Sequence, residues 1–255
     1  MTTSPFSGVT RIFGRDTKEA YDRLMSEPDP QPPQSPQPSI LPVTHIRDPQ
    51  NYLILEGRSY NAYSYPTILV AKARDLHNHT WEKTQEELHR EQQFMLTPRQ
   101  GVDLLLDLRA GNIHEATGRK LPQPEITNIL NEIYEVRNPW RGEWYDASFA
   151  QQKKKWTITY HKITPQGLQQ VTQPLEYCLM EDKTPGIDLE DWLQRATPQG
   201  LPPKNVKEGS LYYWHPQDNR VAGFCADSGG ASFYCDRNPR GSNSARGVRR
   251  AFVKS

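Results

Sequence analysis

The sequence predicts an α+β fold in which segregated helices precede a mainly antiparallel sheet. Three observations lead there. Apolar residues recur at helical spacing in the first half of the chain, the period changes to two from Trp140 onward, and the C-terminal stretch is rich in Gly, Ser and Asn with short strand signals between them. A proline-rich linker precedes the body: residues 28–42 hold seven of the 22 prolines. Such a run favours extended polyproline-like chain and sustains neither helix nor central strand, so it reads as a spacer rather than a ligand for proline-binding modules. The compact body is expected to begin near Ile40. That gives a tail and linker over 1–39 and one domain over 40–255, with a helical part over 40–138 and scaffold strands over 139–218.

Composition narrows the function classes. The 255 residues fit one large domain or two modest ones. Lys and Arg total 31 against 30 Asp and Glu, a net charge of +1, which disfavours a nucleic-acid binder with a strong general basic field. Hydrophobic residues are 35%, below the usual ~45–50% even with glycine counted in, so part of the chain is expected outside a core. No window is long and apolar enough for a transmembrane helix, and the opening MTTSPFSGVTRIFGR has no apolar signal core. Cys178, Cys225 and Cys235 are an odd set without a CxxC spacing, a poor match to a disulfide framework or a structural zinc site. Cys225 and Cys235 are read as separate thiols in preference to a pair.

The elements follow in order. Residues 16–26 form a short helix on this reading, and Thr67–Ala71 a buried strand. Trp81 to Phe94 reads as a charged helix. Thr97-Pro98-Arg99-Gln100 then supplies a cap, a proline at the first helical position and a Gln three residues after the cap. Val102, Leu105 and Leu106 form that second helix's buried face, and Gly111 suits its end. After Pro124, Ile126, Ile129, Leu130 and Ile133 fall at i, i+3, i+4, i+7. Trp144, then Trp156, Ile158 and Tyr160, alternate with polar residues, and Gln151–Lys155 makes a turn between two strands with a solvated lysine tip. Asp188 caps a helix over 189–196 with Trp192 and Leu193 inward. Short strands are expected at Leu211–Trp214, Val221–Ala226 and Val248–Val253.

Several motifs offer chemistry and are set aside. His77-Asn78-His79 spells nuclease letters, but with only His89 as a further ligand nearby it makes a poor metal site. Asp227-Ser228-Gly229-Gly230 is similar to the nucleophile stretch of trypsin-like proteases, yet Ala226 stands where a glycine is expected and no base or orienting acid accompanies it. No glycine-rich phosphate loop occurs. Glu181-Asp182 and Glu190-Asp191 fall at turns or caps, where solvation explains them.

The stretch 219–251 is different in kind. Small or apolar residues recur at Ala222, Phe224, Ala226, Ala231, Phe233 and Cys235, and between them sit Cys225, Asp227, Gly229, Gly230, Ser232, Tyr234, Asp236 and Asn238, then Gly241 and Asn243. An edge strand with polar residues outward accounts for the alternation but not for so long a glycine-spaced polar surface. Val221-Ala222, Phe224, Ala226, Ser228, Ala231, Cys235, Pro239, Ser242 and Gly247-Val248-Arg249-Arg250 together resemble the variable region of archaeal diversity-generating-retroelement variable proteins, the AvpA-like group with a C-type-lectin fold. Ile187-Asp188-Leu189, Trp192-Leu193, Gly200-Leu201-Pro202, Leu211-Tyr212-Tyr213-Trp214 and Pro139–Trp144 with Asp146-Ala147 are similar to that family too. The resemblance covers about residues 110–255, and Arg246 departs from it, standing where Leu is expected.

The resemblance implies a non-enzymatic binding protein. Its ligand-binding, variable positions would be the ten residues Cys225, Asp227, Gly229, Gly230, Ser232, Tyr234, Asp236, Asn238, Gly241 and Asn243, mostly exposed on one contiguous face. In that family both adenines of Asn-type template codons are randomised, which yields every residue type except Lys, Glu, Gln, Met and Trp; all ten positions obey this. Tyr234 is the expected hot spot, because aromatic side chains dominate interface energy, while Trp214 and Phe224 are expected as scaffold. The implied partner is a protein on another cell or virus, with no nucleic acid, membrane insertion, metal or cofactor. The resemblance leaves localisation open, with cell surface or virion as the places it suggests. Two alternatives stand beside it: an oxidoreductase of the formylglycine-generating type using Cys225 and Cys235, and a fixed structural protein.

Overall fold

The computed structural model describes residues 11–12, 15–16, 47–61, 63–136 and 138–254. The chain divides into two units, Met1–Pro36 and Gln37–Ser255. In the first, two short strands, β1 (Arg11–Ile12) and β2 (Arg15–Asp16), pair antiparallel. Asp16 is therefore strand, and the rest of the helix expected over 16–26, like the whole of the proline run over 28–42, lies outside the described residues.

The second unit is α+β, with a large, mostly antiparallel mixed sheet, a smaller sheet that is antiparallel throughout, and a separate antiparallel two-stranded pair. Its first part carries β3 (Tyr52–Leu55), β4 (Arg58–Tyr60), β5 (Tyr63–Tyr65) and β6 (Ile68–Ala71). Three helices follow, α1 (Trp81–Arg90), α2 (Pro98–Arg109) and α3 (Gln123–Tyr134), interleaved with the short strands β7 (Phe94–Met95) and β8 (His114–Glu115). The remainder supplies β9 (Arg141–Gln152), β10 (Lys155–Thr164), β11 (Gly167–Pro174), β12 (Lys183–Ile187), α4 (Leu189–Arg195), β13 (Leu211–Trp214), β14 (Arg220–Asp227), β15 (Gly230–Arg237), β16 (Arg246–Gly247) and β17 (Arg250–Val253). The large sheet runs β11-β10-β9-β14-β15-β13-β12, with β16 joined to β9. The smaller one runs β7-β17-β6-β3-β8, so the last strand of the chain closes against the first part of the unit.

Local chemistry explains most of the helices. Thr97 accepts from the Gln100 N–H while the Gln100 side chain accepts from the Thr97 N–H, a reciprocal cap that satisfies two otherwise orphaned donors. The helix closes at Gly111, whose φ of 64° is open to glycine. Ile126, Ile129, Leu130 and Ile133 are all buried on α3. Asp188 caps α4 by accepting from the Asp191 N–H, and Trp192 and Leu193 are buried as the spacing required. One helix is shorter than its pattern implied. α1 stops at Arg90, Gln92 takes a left-handed φ of 59°, and Phe94 joins β7.

The main core lies between α2, α3 and α4 and one face of the large sheet. Phe233 is central to it, stacked on Trp192 with ring centroids 4.7 Å apart and on Tyr213 at 6.0 Å. A smaller cluster of Leu88, Met95, Trp144, Val221 and Val248 fixes α1 to the sheet. The strands β14 and β15 lie in the interior of the sheet, between β9 and β13, rather than at an edge.

Candidate binding face on the β14–β15 hairpin

Residues directly opposite in neighbouring strands point to the same face of a sheet, so the register assembles the site. Arg246 pairs with Gly142, Gly142 with Cys225, Cys225 with Ser232 and Ser232 with Tyr212. One transverse row thus crosses β16, β9, β14, β15 and β13. The adjacent row on the same face is Trp144, Gly223, Tyr234 and Trp214. Phe224 and Phe233, paired with each other, point the other way into the core. Small residues in the middle of both rows leave room for large side chains to lie across them, and a Cβ added at Gly142 would come within 3.2 Å of the Cys225 Cβ.

A register shift supplies the next component. Val221 pairs with Arg237 and Gly223 with Tyr234, so β15 carries one residue more than β14 between the two pairs. Such a bulge re-aims a side chain. The Arg237 guanidinium lies 3.4 Å from the centroid of the Tyr234 ring, and its Nη2 donates to the Cys225 Sγ at 3.2 Å. Trp214 stacks on Tyr234 with centroids 5.9 Å apart and rings 3° from parallel. On the β9 side, the Arg246 guanidinium lies 4.2 Å from the Trp144 ring and 5.4 Å from the Trp140 ring. The face therefore alternates aromatic rings and arginines: Trp214, Tyr234, Arg237, then Arg246 against Trp144 and Trp140.

Electrostatics match the geometry. Burial pushes the Arg246 guanidinium down to about 10, and the positive charge of Arg237 adds to that. Burial pushes the Cys225 thiol up against the opposing pull of Arg237, and raises Tyr234 as well. Among the described residues neither Arg237 nor Arg246 makes an ion pair, although Asp236 is within electrostatic reach of Arg237.

The ten positions distribute unevenly. Cys225 and Asp227 on β14 and Gly230, Ser232 and Tyr234 on β15 share the face described. Gly229 is in the turn between the strands, where its N–H donates to the Asp227 Oδ1 at 2.7 Å. Asp236 lies within the bulge, with Oδ1 buried and without a hydrogen-bond partner among the described residues. Asn238, Gly241 and Asn243 are on the loop that leads back to β16. The Asn238 Oδ1 accepts from the Arg240 N–H at 3.0 Å and the Asn243 Oδ1 from the Ala245 N–H at 2.8 Å. This loop borders Arg246, since a Cβ on Gly241 would lie 3.8 Å from the Arg246 Nη1.

The ten positions are less exposed than expected, and two of them are buried. Cys225 is 4% and Ser232 1% exposed, because Arg237, Tyr234 and Tyr212 lie over the middle of the row. Gly229 and Asn238 are exposed, and the remaining six are partly so. Phe224 is core, but Trp214, expected as scaffold, shares the outer side of the sheet with Tyr234. Arg237, Arg246, Trp140 and Tyr212 belong to the face without having been among the expected site residues. Arg246 stands out in the sequence only as a departure from the resemblance, and Trp140 and Tyr212 only as part of its scaffold.

No family model, curated protein or solved structure matches this chain. Chemistry must therefore be read from the side chains alone. All three cysteines are free and buried. Cys225 looks onto the outer face, whereas Cys235 packs in the core beside Tyr213 and Cys178. Burial pushes both thiols up, which disfavours the thiolate, the nucleophilic form. Among the described residues, no cluster of three or more His, Cys, Asp or Glu is placed to hold a metal, and no helix is long and apolar enough to cross a membrane. His89 packs edge-on to His161 at 4.8 Å.

Proposed function

We propose that the chain is a ligand-binding protein that performs no chemistry on its partner. Its C-terminal segment 219–251 displays a binding face on a C-type-lectin-like scaffold, and a retroelement diversifies that segment. The observation that carries this reading is the register of β14 and β15, which sets Cys225, Asp227, Gly230, Ser232 and Tyr234 on one face and turns Phe224, Phe233 and Cys235 into the core. Substitution on the first set alters a surface, and the second set holds the fold while that happens. A rigid sheet also limits the ordering cost of association, and Tyr, Ser, Gly and Asn supply adaptable contacts. The oxidoreductase alternative has less support, since Cys225 and Cys235 lie on opposite faces of the sheet and are not placed to act together.

The encoding DNA provides the test. A nearby imperfect repeat of the 219–251 coding segment is expected, differing from it only at template adenines and accompanied by a reverse-transcriptase gene. Absence of such a repeat removes the diversification claim.

A further inference from the structure

The arginines of this protein are, as a rule, neutralised where they are buried. Arg74, Arg99, Arg141 and Arg249 meet Glu132, Asp103, Glu132 and Glu143 at 3.3, 2.6, 3.6 and 3.1 Å. Arg237 and Arg246 break the rule on one face of the sheet. Each is only partly exposed, each lies against aromatic rings, and among the described residues no carboxylate is within ion-pair distance of either. A guanidinium held among rings has shed part of its water and still offers a planar fork of donors. The Arg237 fork spends one donor on a thiol, a weak acceptor, and the Arg246 guanidinium has no hydrogen bond at all among the described residues.

We infer that Arg237 and Arg246 form an anion-binding pair whose ligand is an acidic side chain of a partner protein, flanked there by an aromatic or apolar residue. This rests on reading the face as a binding site and names the chemistry it selects. A carboxylate matches the planar guanidinium fork, and the neighbouring residue has Trp214, Tyr234 and Trp140 to pack on. A phosphate-bearing ligand is the weaker match because the backbone N–H groups that would cradle it are already engaged. Gly229 N–H is held by Asp227, Arg240 N–H by Asn238 and Ala245 N–H by Asn243. The near-neutral charge of the whole chain, +1, likewise gives a polyanion no general field. Burial and mutual repulsion already hold the Arg246 proton more loosely than usual, and an incoming carboxylate relieves both arginines.

The full chain, isotope-labelled so that the arginine Nε–H signals are resolved, is titrated with the peptide acetyl-Phe-Glu-Phe-amide and with its Gln counterpart. The Glu peptide is expected to shift the Arg237 and Arg246 signals, with the Gln peptide at least about tenfold weaker. Arg237→Leu and Arg246→Leu should each weaken the Glu peptide about tenfold while the thermal midpoint holds. If Arg246→Leu does not fold, Arg246→Lys serves, keeping the charge but losing the fork. Equal response to the two peptides, or silent arginine signals, overturns the inference. Tighter binding of phenyl phosphate or of a short single-stranded oligonucleotide than of the Glu peptide overturns the carboxylate assignment. The two proposals fail separately: a missing DNA repeat leaves the titration unaffected, and silent arginines leave a binding face of other chemistry.

Discussion

Arg99 and Arg246 both carry a positive charge out of bulk water, and the fold surrounds them in opposite ways. Arg99 is almost wholly buried on α2 and donates to Asp103 one turn along at 2.6 Å. Asp103 has no exposure at all, also accepts from the Tyr60 and Tyr65 hydroxyls at 2.7 and 2.6 Å, and forms an ion pair with Arg58 at 3.0 Å. Every formal charge in that cluster has a partner, as burial of charge demands. Arg246 has rings and a second arginine instead. The first cluster is closed to any further ligand, and the second is open to one. The difference shows how a fold can separate charges that hold it together from charges that address a partner.

Breaking the closed cluster should have the largest effect. Asp103→Ala leaves Arg58, Arg99, Tyr60 and Tyr65 without their shared acceptor. Stripping one partner from a buried ionic network costs about 3–5 kcal/mol, so urea unfolding should show a loss of that size. A loss below about 1 kcal/mol would mean that water repairs the site, and the contrast between the two clusters would collapse.

A second pair sharpens the same point through pH. His161 is partnered and His89 is not. The Asp146 carboxylate, which also accepts from Gln85 at 2.7 Å, holds the His161 imidazole up although burial works against the charge. The His89 Nε2 is buried without a partner, and burial pulls His89 down to about 4, with the neighbouring His161 charge adding to that and Asp146 opposing it. The ordinary histidine value is about 6.5. Between pH 6.5 and 4 the unfolded chain therefore takes a proton at His89 that the folded chain refuses, and stability falls as pH falls through that window. Partial exposure discounts the effect to roughly 1–2 kcal/mol. His161 acts with the opposite sign: its contribution is present below about 6.5 and is lost as pH rises through its raised folded value. His89→Phe should remove the acid-side loss, read as urea midpoints across pH 4 to 7. An unchanged acid slope would show that His89 is not the group responsible.

The closed cluster was partly legible in the sequence and the open one was not, for a physical reason. Helical spacing places Arg99 and Asp103 one turn apart, and the Thr97 cap that starts their helix is a local pattern. Strand alternation likewise placed Cys225, Ser232 and Tyr234 on one face. The smaller sheet, by contrast, is built from short strands whose pairing joins distant segments, such as β17 to β6 and β7. The open pair depends on two such events. Arg246 reaches the face only because β16 pairs with β9 beside Gly142, and Arg237 only because a bulge turns it over Tyr234. Alternation alone assigns Arg237 to the opposite face. Burial of Cys225 and Ser232 was hidden for the same reason, since the side chains covering them arrive through the bulge and the pairing with β13.

The smallest expected effect is at the open pair itself. Arg246→Leu removes a cation–π contact with Trp144 and Trp140, a loss of about 0.5–1 kcal/mol. It also removes a partly dehydrated charge that no carboxylate balances, and it lays an apolar side chain on Trp144, both of which favour the folded state. These contributions oppose one another, so the net change should stay within about 1 kcal/mol and lean toward stabilisation. The check is a urea midpoint at an unchanged slope, which keeps the comparison to stability alone. A loss beyond about 2 kcal/mol would make Arg246 a structural cation like Arg99. A neutral or stabilising result leaves recognition as the reason for an arginine there, since the fold does as well without it.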